Sequence, residues 1–383
     1  MLFINAQILT MSGSAIENGY LLARDGKIIS LGPMRHLPTR DGQEVIDLNG
    51  KLLLPGFVDA HSHLGLSEEG VGAEGEDLNE TSDPATPHIR AIDGLNPIDR
   101  SLPEAWAGGV TCIVTSPGSA NTIGGQICAF KPVGRRIDNA ILKEPLAMKF
   151  ALGENPKTAH GANKKAPYTR MAEAAIIRES LMKASCYLDT KRTTANDETH
   201  PTFDFKSEAL IPVLERKIRA HFHAHRASDI LTAIRISKEF NLDYVLVHCT
   251  EGHLIADILA EENPHIICGP VIVSRTKPEL SNLEIANAVT LTGKGLKPAI
   301  CTDHPVIPAH YLATSAAIVA AEGLNDEQAL QSITLWAAIA AGLDDRVGSL
   351  EPGKDADLLV YDEHPLHTYR KPSMVFIDGE RLV

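Results

Sequence analysis

A (β/α)8 barrel with a small β-sandwich domain built from both termini is the fold class this sequence predicts. Three observations predict it. Apolar, β-rich runs recur along the middle of the chain with amphipathic helical stretches between several of them. Such alternation implies parallel strands joined by helical crossovers. Eight runs of this kind match the strand number of a barrel whose active face lies where its strands end. Both ends of the chain instead read as short strands and tight turns. A chain of 383 residues is long enough for a barrel plus an accessory domain.

Taken in order, residues 3–10, 19–23 and 27–31 read as strands, and Asp25-Gly26 between the last two is a hairpin signal. The barrel runs lie near 54–61, 109–115, 126–131, 146–152, 218–224, 243–248, 265–271 and 297–302. Residues 228–236 carry apolar side chains at helical spacing, and 308–323 and 326–341 are similar and rich in alanine. Residues 356–361 and 374–377, followed by Asp378-Gly379, repeat the N-terminal pattern. The expected division is therefore 1–52 plus 345–383 for the composite β domain and 53–344 for the barrel. Residues 64–100 form a long acidic, glycine-rich stretch directly after His63. It reads as a solvated face, or as a lid or substrate contact at the barrel's active end.

Composition excludes several function classes. The net charge of −13 would repel phosphates, which argues against nucleic acid or an anionic membrane as partner. No apolar run is long enough to span a bilayer, and residues 1–6 lack the pattern of a secretory signal. The six cysteines are scattered without a C-x-x-C pair, as expected for buried reduced thiols in a cytoplasmic protein. The expected partner is a small-molecule substrate, and a homo-oligomer is left open.

The chemistry is carried by histidines at the ends of apolar runs. His61 and His63 close the first run, and on a strand residues i and i+2 point to the same side. His221, His223 and His225, then His248, then Asp303 end later runs. A lone buried histidine is ordinarily a hydrogen-bonded core residue; the joint placement of these residues suggests one metal site assembled from several strand ends. Zinc takes imidazole nitrogen and carboxylate oxygen, and a catalytic site keeps a position open for water, whose pKa the metal lowers. A nearby carboxylate must then take the proton and pass it on.

Three segments resemble the amidohydrolase superfamily, and the likeness covers nearly the whole chain. Pro55-Gly56-Phe57-Val58-Asp59-Ala60-His61-Ser62-His63 is similar to its first-strand signature, and Thr302-Asp303-His304 to its last-strand aspartate. Val347-Gly348-Ser349-Leu350-Glu351-Pro352-Gly353-Lys354-Asp355-Ala356-Asp357-Leu358 resembles the return to the composite β domain, above all in imidazolonepropionase-like members. The resemblance implies a metal-dependent hydrolase of amide, cyclic amide or amidine C–N bonds, with one or two divalent ions, zinc first. It implies His61, His63, His223, His248 and Asp303 as ligands, with Asp303 also the catalytic proton carrier. Phe222-His223-Ala224 fits the family pattern best among the three fifth-run histidines.

On the fourth run, Lys149 matches the lysine that binuclear members carry as a carbamate bridging two metals. Glu154, just past that run, is the rival ligand or a substrate contact. His225 and His253 contact substrate or are structural. Arg275 and Lys277 pair with a substrate carboxylate or are solvated. Residues 116–126, rich in small side chains, hold an anionic or carbonyl group on their NH groups or form a tight connection. A deaminase or a dipeptidase fits the same parts. A degenerate barrel used for binding or assembly is the non-enzyme alternative, and the intact set of histidines with Asp303 argues against it.

Overall fold

The computed structural model describes residues 1–39, 42–193, 201–367 and 369–383. Two sheets organise it. The first eight-stranded sheet draws on both ends of the chain. Its N-terminal strands are β1 (Leu2–Ile8), β2 (Ile16–Arg24), β3 (Lys27–Pro33), β4 (Val45–Asp47) and β5 (Leu52–Pro55). The second sheet also has eight strands. They are β6 (Phe57–Ser62), β7 (Val110–Thr115), β8 (Ile123–Phe130), β9 (Ile141–Ala151), β10 (Arg219–Ala224), β11 (Tyr244–His248), β12 (His265–Cys268) and β13 (Ala299–Ile300). The chain then returns to the first sheet with β14 (Leu358–Tyr361), β15 (Met374–Ile377) and β16 (Glu380–Arg381).

In the first sheet β5 is the meeting point of the two termini, pairing with β1 on one side and β14 on the other. Alternate residues of these strands bury one apolar face, with Phe3, Leu21, Ile28, Leu53, Leu358 and Phe376 in one cluster. Asp25 and Gly26, both at positive φ (50° and 75°), make the β2–β3 turn that suits the right-handed twist of its strands.

The barrel sheet runs from β6 to β13 in sequence order and is nearly closed. Its seam is spanned by hydrogen bonds from His63 N to His304 O (2.9 Å) and from Asp303 N to His61 O (3.2 Å). Asp59 accepts from Thr302 N (3.2 Å) and from the Thr302 hydroxyl, so the closing contacts lie beside the histidines.

Three expectations are corrected. β8 runs antiparallel to both β7 and β9, so the eight strands are not all parallel. Residues 116–122 and 131–140 are too few for a helical crossover, which takes about a dozen residues or more, so the chain turns straight back. The long acidic segment between β6 and β7 lies alongside β8, with parallel bridges at Ala85–Ile123 and Arg90–Gln126. The single run expected at 54–61 divides at Gly56, β5 going to one sheet and β6 to the other. A Cβ on Gly56 would stand 1.9 Å from Thr111 Oγ1, which leaves room for nothing larger than glycine at this crossing. The run 326–341 is two helices, Asp326–Ser332 and Leu335–Ala341, with a break at Ile333-Thr334.

Candidate metal centre

The strand ends bring the expected ligands together in two groups. In the first, His61 near the end of β6 and His63 one residue beyond it meet Asp303, just past β13, within 4.8 Å. His61 Nε2 and His63 Nε2 each stand 3.4 Å from Asp303 Oδ1. His63 Nδ1 lies 2.7 Å from Ser116 O, so it carries the hydrogen and leaves Nε2 free to bind. Both ring nitrogens of His61 are buried without a hydrogen-bond partner among the described residues. In the second group, His223 from β10, His225 one residue beyond it and His248 at the end of β11 also lie within 4.8 Å. His225 Nδ1 is 2.7 Å from Thr250 Oγ1, and His248 Nδ1 is 2.7 Å from Gly269 O. The His61 and His248 rings, 5.3 Å apart, join the groups. His248 and Asp303 are held at φ 70° and 55°, strained backbone of the kind found at functional sites.

Electrostatics suit a cation. Burial holds His61, His223 and His225 well below the usual imidazole value and takes His248 to about 4, so all four are neutral at pH 7, as ligands must be. Burial pushes Asp303 upward, but His248, His61 and His63 outweigh it and hold the carboxyl well below its ordinary range. Lys149 lies fully buried on β9, and its Nζ has no hydrogen-bond partner among the described residues. Burial takes its pKa down to about 8, while its charge depresses the titration of His61, His223, His225 and His248. Neutral imidazoles around an ionised carboxylate are a donor set that a divalent ion fits, and such an ion favours the uncharged form of Lys149.

A cavity of about 190 Å³ lies over both groups, with His63, His223, His225, His248 and Asp303 in its wall. Ser119, Asn155 and Lys277 line it as well, and Lys277 Nζ donates to Asn155 Oδ1 at 3.1 Å.

The Amidohydrolase family model matches residues 52–382. The chain belongs to the amidohydrolase family. Such hydrolases generally hold divalent metals. Amidohydrolase tasK of Hapsidospora irregularis is 31% identical over 95% of this chain, which spans 39% of that longer protein. Imidazolonepropionase of Symbiobacterium thermophilum is 25% identical over 91% of this chain and 84% of its own length. A crystal structure of an amidohydrolase from Thermotoga maritima MSB8 superposes with a TM-score of 0.95 at 41% identity, covering 100% of this chain and 99% of that one. The likeness to imidazolonepropionases expected from the motifs is thus present in the relatives.

Other residues singled out from the sequence of this amidohydrolase lie elsewhere. His221 faces Lys149 across the β9–β10 pair, fully buried, outside either group. Glu154 opens the helix Glu154–Gly161, and its Oε2 accepts from Glu279 N at 3.2 Å. It lines a separate depression. His253 stands 4.0 Å from Glu284, and exposed Arg275 donates to Leu283 O at 2.6 Å; neither lines the cavity. No role had been read for Asp59, Asn155 or Glu279. Asp59 precedes His61 by two residues, so strand alternation was a signal for it. Asn155 lies in the first turn of the helix Glu154–Gly161 and Glu279 in the short 3-10 helix Pro278–Leu280, and neither stands at the end of an apolar run that would have marked it. Glu279 is 1% exposed, and burial pushes its carboxyl up.

Proposed function

We propose that this amidohydrolase cleaves a C–N bond, in an amide, cyclic amide or amidine, of a small molecule. The observation that carries the reading is the paired groups of neutral histidines around Asp303 and the buried, unpartnered Lys149. His61, His63, His223, His248 and Asp303 would hold one or two divalent ions, zinc first, with Lys149 as a bridging carbamate. A bound ion supplies acidification of a water molecule and polarisation of the substrate oxygen.

The chain's own residues do the rest. Asp303, ionised at neutral pH, takes the proton from the attacking water at its carboxylate and delivers it to the leaving nitrogen. Lys277, at the cavity wall, meets a carboxylate on the substrate. The cavity of about 190 Å³ has room for a small molecule. The same reading keeps residues 1–52 with 345–383 as a β-sandwich domain beside a barrel of 53–344, and a cytoplasmic location suited to its free cysteines.

The test joins metal analysis to a substrate panel of cyclic amides, N-acyl amino acids, dipeptides and amino-heterocycles. Bound zinc or manganese with turnover of a cyclic amide or N-acyl compound is the expected result. Ammonia release from an amino-heterocycle would make it a deaminase, and dipeptide cleavage a peptidase. Absence of metal together with no activation by added zinc or manganese refutes the reading.

A further inference from the structure

The first metal group contains a carboxylate, Asp303, and the second as grouped contains histidines alone. Glu279 changes that count. Its Oε1 stands 3.7 Å from His225 Nε2 and 3.9 Å from His223 Nε2. These separations are too long for N–H···O hydrogen bonds. They resemble the 3.4 Å that separates Asp303 Oδ1 from His61 and His63. Two donors bound at about 2.1 Å to one ion stand about 3.4 Å apart at a tetrahedral angle and about 3.6 Å apart at 120°. Glu279 therefore sits within a few tenths of an ångström of sharing an ion with both imidazoles.

The described residues around it offer that oxygen no hydrogen bond. Glu279 is 1% exposed, and Oε1 has no hydrogen-bond partner among the described residues. The other oxygen is committed, accepting from Glu154 N at 3.0 Å, while Glu279 N donates to Glu154 Oε2 at 3.2 Å. This reciprocal pair fixes the carboxylate plane with Oε1 toward the histidines. The nearby cations are engaged elsewhere, Lys277 with Asn155 Oδ1 (3.1 Å) and Arg170 with Asp229 (2.7 Å). Lys277 acts on this carboxylate by charge alone and gives Oε1 no hydrogen bond, so its burial stays costly, and an ion between it and the imidazoles removes that cost. His225 and His248 have Nδ1 bound to Thr250 Oγ1 and Gly269 O, which leaves each Nε2 as the ligand atom.

We propose that Glu279 is a direct ligand of a divalent ion held by His223 and His225, so that each metal group has its own carboxylate. The proposal rests on the metal reading above and assigns His225 to the ion rather than to substrate. The experiment strips the full-length chain of metal and titrates it with zinc against a competing chelator. A parallel titration with cobalt follows its visible absorption. The parent is expected to bind two ions. Glu279→Gln, which keeps the size and the acceptor for Glu154 N, should retain one ion and bind the other at least about 100-fold more weakly, beyond the usual outer-shell effect. Its second cobalt equivalent should change in absorption, and His225→Gln should lose the same ion. Should the Gln variant not fold, Glu279→Asp retracts the carboxylate by one methylene and should weaken that ion by about 10-fold. Unchanged affinity in the folded variants overturns the proposal, including where the parent binds a single ion. A parent that binds no ion overturns the metal reading itself, which is a separate outcome.

Discussion

Replacing Lys149 with methionine should make the metal-free protein more stable while costing it its metal chemistry. Lys149 is fully buried with no hydrogen-bond partner for Nζ among the described residues, and burial lowers its pKa from the usual 10.5 to about 8. At about 1.4 kcal/mol for each pH unit, an ionised Lys149 is about 3 kcal/mol more costly in the folded chain than in the unfolded one. The sign follows from proton binding. Below pH 8 both states carry the charge and the penalty is complete. Between about 8 and 10.5 the unfolded chain holds the proton more tightly, so the parent gains stability as pH rises. Methionine follows the same track past Gly124, whose Cβ position is 3.0 Å from Lys149 Cγ, without the charge. Urea denaturation of metal-free protein should therefore favour Lys149→Met by up to about 3 kcal/mol at pH 7, with the difference closing toward pH 10.5. In the metal-loaded enzyme the variant cannot form a carbamate, and turnover should fall with no rescue by bicarbonate. A less stable variant at pH 7, or a gain that does not shrink with pH, refutes the argument from desolvation. Full metal content with parental turnover refutes the carbamate.

Three further outcomes are expected. Asp303→Asn should fold and keep at least one ion, yet lose about 10²–10⁴-fold in kcat with a smaller change in KM, because an amide cannot carry the proton; a metal-loaded variant with near-parental kcat would place the proton on another group. Metal-free protein should lose stability as pH falls from 6.5 to 5. In that window the unfolded chain takes up protons on six histidines held low by burial (His61, His221, His223, His225, His248 and His304). Asp59 and Glu173, both raised to about 7 by burial, and Asp357, raised to about 6, oppose this because only the folded chain protonates them there. The histidines outnumber them, each net proton being worth about 1.4 kcal/mol per pH unit, and a flat or rising urea midpoint on acidification would contradict that sign. Gly56→Ala should destabilise by about 1–3 kcal/mol or more, since its methyl meets Thr111 Oγ1 at 1.9 Å. Thermal unfolding should show part of the loss recovered by adding Thr111→Ala; an unaffected Gly56→Ala would mean the two sheets are not held this closely.

Strand periodicity by itself determined much of this protein. Alternation puts His61 and His63 on one side at the end of β6, and the ends of the apolar runs mark His223, His248 and Asp303, because a period of two and a terminating polar residue are local properties. The Asp25-Gly26 turn was legible for the same reason. The direction of β8 was not, since a run of apolar residues looks alike whichever way it pairs; the lengths of 116–122 and 131–140 decided it. The split at Gly56 depends on Thr111, some fifty residues away, and so had no local signal. Only closure of the sheet brought Lys149 under the imidazoles and removed its hydrogen-bond partners, and only the packing of residue 279 against 154 turned a carboxylate toward His223 and His225. Ligand type is written in a residue; its protonation and its partners are set by desolvation and by neighbours that tertiary structure alone supplies.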